Sequence, residues 1–292
     1  MSTDVSGVNL PLPVVGLPVR RRNRRAAKLW LAAISLVLLL AVVVGAPLLG
    51  DAGLRLDLAA RTLAPSWQHL FGTDAVGRDM FCRTIKGLSL SLWVGLLASG
   101  ASTIISLSLA LAAVSLGRIA DAAVGVLVDM FMGLPHLVLL VMICFALGGG
   151  THAVIVAVAL THWPRLTRIL RAEILQVLTS DYVAASRRFG RSAAFVAWRH
   201  LIPHVVPQLL VGFLLLFPHA ILHEAGLTFL GFGIEPSKPA VGVLLAESMR
   251  YLTAGDWWLG VFPGVALVTI VLAFDGLADG VRALFSPHAA QD

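Results

Sequence analysis

Long apolar runs alternate with short polar, glycine-rich or arginine-rich breaks along this chain, and the length of each run predicts a helix that crosses a bilayer. About 20 residues suffice for one crossing at the helical rise. The pattern predicts six such spans: Leu29–Leu49, Leu88–Val114, Ala122–Leu147, His152–Leu170, Val205–His223 and Trp258–Ala278. Leu134-Pro135-His136 marks a kink in the third, because proline removes a helical donor. Gly148-Gly149-Gly150 is too flexible for helix and reads as the turn into the fourth. The second span carries Gly95, Ala98, Gly100 and Ala101, small residues that let neighbouring helices come close. The expected fold class is therefore an all-α integral membrane protein with six transmembrane helices.

Composition agrees, with 58% hydrophobic and 13% charged residues and a mean hydropathy of +0.88, values foreign to a soluble domain. Charge then orients the spans. Arg20, Arg21, Arg22, Arg24, Arg25 and Lys28 precede the first run, and Arg165, Arg168 and Arg171 end the fourth. Together with the arginines of residues 181–203 they follow the positive-inside rule. Both termini are thereby expected in the cytoplasm, as is segment 181–203, with external loops at 50–87 and 224–257. Residues 1–28 read as a cytoplasmic basic tail and 29–292 as the transmembrane domain. The first apolar run exceeds the roughly 7–15 residues of a signal-peptide core, and no clean small-x-small site follows it, so it reads as a span. The formal net charge of +6 lies in this topology pattern, without interleaved aromatic platforms, which excludes nucleic acid as a partner.

Two stretches carry chemistry of their own. Asp181–Pro203 is basic and water-soluble between apolar runs, and Arg187, Arg188, Arg191 and Arg199 cannot lie in hydrocarbon. Taken alone, it could be a basic amphipathic helix on anionic lipid. Its order Ala184-Ala185, Gly190, then Arg199-His200-Leu201-Ile202-Pro203 resembles the "EAA" loop of ABC-importer permeases, the coupling helix that docks on the ATPase subunit. The usual glutamate of that loop is Ala184 here. The second stretch, His69 to Asp79, resembles the H-x-F-G-T-D-x-x-G-R-D signature of the peptide/nickel branch of these permeases, through Phe71, Gly72, Thr73, Asp74, Gly77, Arg78 and Asp79. Its two glycines permit tight turns, and its carboxylates beside an arginine read as a structural, paired set. Glu224 to Gly233, Phe262-Pro263-Gly264 and Ala273-Phe274-Asp275 resemble the same family.

The resemblance implies the permease fold of a type I ABC importer in the bacterial inner membrane. It also implies its partners: a second permease subunit in a heterodimer, two ABC ATPase subunits and an extracytoplasmic substrate-binding protein, besides membrane lipid. The chain has no G-x-x-x-x-G-K-[ST] phosphate loop, so ATP hydrolysis falls to partners and the chain is expected to be neither an enzyme nor a cofactor binder. A secondary transporter or membrane scaffold is the alternative class, but no internal repeat supports the former and Asp129 and Asp275 lack obvious charge partners. For substrate, His219 and His223 stand four apart on one helical face, a spacing that can place two imidazoles on one metal. Pro218 to Gly226 resembles the nickel-permease branch, and Asp129 and Met132 lean the same way. Nickel or a metal chelate is the expected cargo, His219 and His223 its transient ligands, and di- or oligopeptide the alternative. Cys82 and Cys144 both fall near the external side, where a disulfide is topologically conceivable.

Overall fold

A computed structural model describes residues 24–285. The basic tail expected at 1–28 lies mostly outside the described residues, and Arg24 already opens a helix. No strand is present among the described residues. The long helices are α1 (Arg24–Leu48), α2 (Met80–Ser115), α5 (Gly150–Leu178), α8 (Ile202–Phe229) and α10 (Trp258–Phe285); shorter ones are α3 (Arg118–Gly133), α4 (His136–Ala146), α6 (Asp181–Arg188), α7 (Ala193–Val196) and α9 (Val241–Ser248). Five helical segments are long and apolar enough to cross a membrane, one of them running unbroken from Ala193 to Phe229.

The third expected span is not one kinked helix. α3 and α4 are bent by 96° at their junction, so together they form a broken span. Pro135 marks the break: its ring disfavours an α conformation at the preceding residue, and Leu134 is extended at φ −88°, ψ 143°. The external loop expected at 224–257 also needs correction, since α8 continues to Phe229 and carries Glu224 fully buried inside the bundle. Within the remaining loop, Val241, Gly242, Val243 and Leu244 of α9 are buried, so this stretch packs as part of the core. Outside it, the Glu235 side chain meets Lys238 at 3.1 Å and accepts from Thr151 at 3.2 Å. Its own backbone amide, then Lys238, hold its carboxyl below the usual range.

Packing centres on α2, which contributes residues to each of the five hydrophobic clusters. Its small residues allow that. A Cβ on Gly95 would stand 2.9 Å from Ile221 of α8, and Ser106 donates to the Trp163 carbonyl of α5 at 3.0 Å while also bonding to its own helix. Backbones approach closely where side chains are small, the usual basis of association between helices in lipid.

The stretch from His69 to Asp79 is a knot of internal hydrogen bonds closing the N-terminal end of α2. Asp79 caps that helix by accepting from the Cys82 amide at 2.9 Å and takes the His69 ring at 2.9 Å on its other oxygen. Thr73 accepts from Leu63 and donates to the Ala60 carbonyl. Gly72 and Gly77 have φ of +71° and +79°, and a Cβ at either would run into neighbouring atoms, of Leu63 and Trp258 or of Asp57. Asp74 accepts the Val76 and Arg78 amides on one oxygen and the guanidinium groups of Arg78, at 2.7 Å, and Arg83, at 2.6 Å, on the other. Arg83, its side chain only 3% exposed, also reaches Glu247 at 3.0 Å. The sequence pattern pairs Asp74 with Arg78 but does not name Arg83 or Glu247, which lie in α2 and at the far end of α9. Phe71 stacks on Phe262 of α10 with centroids 4.6 Å apart, tying the knot to the last span.

Removing Asp74 leaves Arg83 buried with only a half-exposed partner. Breaking a buried pair costs about 3–5 kcal/mol, against about 1 kcal/mol or less for an exposed one. Asp74→Ala is therefore expected to lower thermal stability and membrane-inserted yield sharply, and Glu247→Gln much less. Thermal unfolding in detergent checks the order, and a loss for Glu247→Gln as large as that for Asp74→Ala would overturn it.

Candidate functional site

The segment 181–203 forms a bent, partly anchored projection. α6 ends in a Schellman turn: the Gly190 amide bonds to the Arg187 carbonyl, and the Arg191 amide to that of Ser186. Gly190 sits at φ +75°, a conformation that disfavours any Cβ, with open space where one would point. Ser192 then caps α7 by accepting from the Phe195 amide at 3.2 Å, and a π turn over Ala197–Leu201 carries the helix without interruption into α8. Val183, Val196 and Leu201 are buried against Leu170, Ile174 and Val177 of α5 and Val205 of α8. His200 braces the two halves: its ring lies 3.2 Å from the Ser186 hydroxyl and packs edge-on against Tyr182 and Phe195.

Most of the remaining side chains on the projection face outward, with Ser186, Ala197 and Ile202 half-buried. Ala184, Ala185, Gly190, Arg199 and Pro203 are exposed, and so are Arg187, Arg188 and Arg191. Among them stand Phe189 at 84% and Trp198 at 74% exposure, with Tyr182 half-exposed. Aromatic side chains beside guanidinium groups are the composition of a protein contact. Sequence reasoning named the small residues and arginines of this surface and placed Trp198 on a turn of the segment, but gave neither Trp198 nor Phe189, an aromatic between Arg188 and Gly190, a role at a contact. His200, expected at the contact, serves inside the segment.

The residues expected along the substrate path are not gathered in one place. Asp129 at the end of α3 is exposed and ion-paired with Arg168 of α5, so it does have a partner. Met132 is half-exposed near the break. His219 is exposed, its ring 3.0 Å from the Leu215 carbonyl one turn back. His223 turns instead toward α4 and α5, where its ring lies 4.8 Å from that of His136 and 5.1 Å from that of His162, centroid to centroid. The His136 and His162 rings are 4.7 Å apart. These histidines, 87 residues apart in sequence at the extremes, meet only because the broken span brings the start of α4 against α5 and α8. Cys82 and Cys144 are both free.

Residues 102–290 match the family described as the binding-protein-dependent transport system inner membrane component. A Brucella suis protein, provisionally named a peptide permease, is 40% identical over 237 residues, covering 80% of this chain and 78% of its own. A second Brucella suis protein, provisionally named a peptide transport system permease, is 34% identical over 277 residues, covering 94% and 92%. The dipeptide transport system permease protein DppC of Bacillus subtilis is 32% identical over 268 residues, covering 91% and 84%. None of these names mentions nickel or a metal chelate, so they favour the peptide alternative and give the expected metal cargo no support. With a family match across more than half its length and relatives above 30% identity along most of it, this chain belongs to the binding-protein-dependent inner membrane components, the permeases of ABC importers.

Proposed function

We propose that this chain is a permease subunit of a peptide importer in the bacterial inner membrane, with both termini cytoplasmic, and that residues 181–199 dock on a separate ATPase subunit. The observation that carries the coupling role is the outward-facing set Tyr182, Phe189 and Trp198 on a projection whose opposite side is anchored by Val183, Val196 and Leu201. The peptide substrate rests on the names of the relatives. A second permease, two ATPase subunits and an extracytoplasmic binding protein complete the assembly.

The fold offers a way for a push on the projection to reach the substrate path. From Ala193 to Phe229 the helix is unbroken over 37 residues, a rod of about 55 Å at the helical rise. Displacing its cytoplasmic end carries α8, and with α8 the packed faces of α2, α5 and α10, between inward-open and outward-open arrangements. ATP binding shifts that balance only through contacts that differ between the two ATPase states. The second anchor of the rod is apolar packing of Phe217 on Phe274, with stacked rings 3.9 Å apart, so α10 moves with it.

Two measurements test the proposal. Phe189→Asp with Trp198→Asp is expected to reduce co-purification of the ATPase and to cut uptake at least about tenfold, the 1.4 kcal/mol of one lost anchor, while folded yield stays normal. Gly190→Leu adds about 1–2 kcal/mol of left-handed strain and a side chain at the contact, and should impair coupling in the same direction. Unchanged ATPase recovery in both would remove this segment from the interface. For substrate, the reconstituted importer is expected to accumulate a radiolabelled dipeptide and not free radiolabelled nickel; the reverse pattern overturns the peptide reading.

A further inference from the structure

We propose that His136, His162 and His223 form a binding site for one divalent first-row transition ion, bridging α4, α5 and α8 at the broken span. One ring nitrogen from each histidine lies within 4.8 Å of those of the other two. Zinc–imidazole bonds of about 2.0–2.1 Å in a tetrahedral array need nitrogens about 3.4 Å apart, so each ring has to close in by roughly 1 Å. Side-chain torsion supplies a shift of that size without moving a helix.

The protonation of His162 is set by its neighbours. Its Nδ1 lies 2.9 Å from the Val158 carbonyl, which can only accept, so Nδ1 carries the proton and Nε2 keeps a free lone pair. That Nε2 is buried and has no hydrogen-bond partner. A ring whose far nitrogen is fixed by a backbone carbonyl is the usual outer-shell arrangement of a metal-ligating histidine. Edge-to-face packing of three rings accounts for their contact, yet phenylalanine would pack as well without a bare acceptor in an apolar bundle. A metal ion satisfies that acceptor and the other two rings together.

Three neutral imidazoles suit zinc, nickel, cobalt or copper and leave a fourth position open. The open position has an exposed neighbour in His219, one turn from His223 on α8. The three ligands belong to elements that must shift relative to one another if α8 transmits motion, so an ion there ties the start of α4 to the rod. This site is independent of the peptide reading: it can exist whatever the cargo is, and its test does not use uptake of peptide.

The experiment titrates cobalt(II) into the purified, intact importer and follows the visible absorption of tetrahedral cobalt, with competition by zinc(II). One cobalt per copy of this chain is expected, displaced by zinc. His162→Gln and His223→Gln, chosen to preserve volume, should each weaken binding by about tenfold or more, and His136→Gln likewise, whereas His69→Gln in the knot before α2 should leave it unchanged. Thermal unfolding of each variant without metal identifies any that fail to fold, and the remaining ones decide. The proposal is overturned if folded His162→Gln and His223→Gln bind cobalt as the parent does, if no stoichiometric binding occurs in the parent, or if His219→Gln alone abolishes it while the three others do not.

Discussion

Close approach of α2 to its neighbours is the constraint on which the rest of this fold depends. In lipid, helices gain little from burying apolar surface against each other, because the solvent is as apolar as they are, so contact area and hydrogen bonds decide. α2 supplies both, through Gly95 against α8 and Ser106 against α5. The consequence is a central helix flanked by α5 on one side and α8 on another, with α1 and α10 closing the bundle through their own small-residue contact, where Gly280 lies against Ala32. Larger residues along this face would drive α5 and α8 apart and dissolve the place where α4, α5 and α8 meet.

The two ends of the bundle use different chemistry for different tasks. At the end that carries the start of α2 a fixed arrangement is built from charge: Asp74 collects two guanidinium groups and two amides, and Asp79 caps α2 while holding His69. Nearly every polar atom in that knot is directed inward, which leaves little to offer a ligand and much to hold the loop against α9 and α10. At the opposite end the arginines of 181–199, with Phe189 and Trp198, are exposed, while Val183, Val196 and Leu201 pin the segment down and His200 braces it.

The break between α3 and α4 links these themes to transport. Irregular backbone inside a membrane is tolerated where protein or a cavity covers it, and here the histidines of three helices gather at the start of α4. A break at that place concentrates polar side chains next to the helix that extends unbroken from the projection at 181–203. α8 and the break are therefore in direct contact through His223.

The sequence by itself determined what depends on local composition and order. Apolar run length located the segments of α1, α2, α5, α8 and α10 and the run that the structure breaks into α3 and α4, arginine placement set their orientation as an expectation, and Gly72 and Gly77 marked tight turns where the structure has left-handed backbone. Pro135 was visible as an interruption, though not as a 96° bend, because the angle depends on what the freed segment packs against. Contacts between distant residues were out of reach. His219 and His223 were legible as a pair because helical spacing is local, yet the neighbours His223 meets come from α4 and α5. Arg83 and Glu247, 164 residues apart, pair across Asp74 for the same reason. Periodicity tells which side of a helix a residue occupies; only the tertiary packing decides which other helix that side faces.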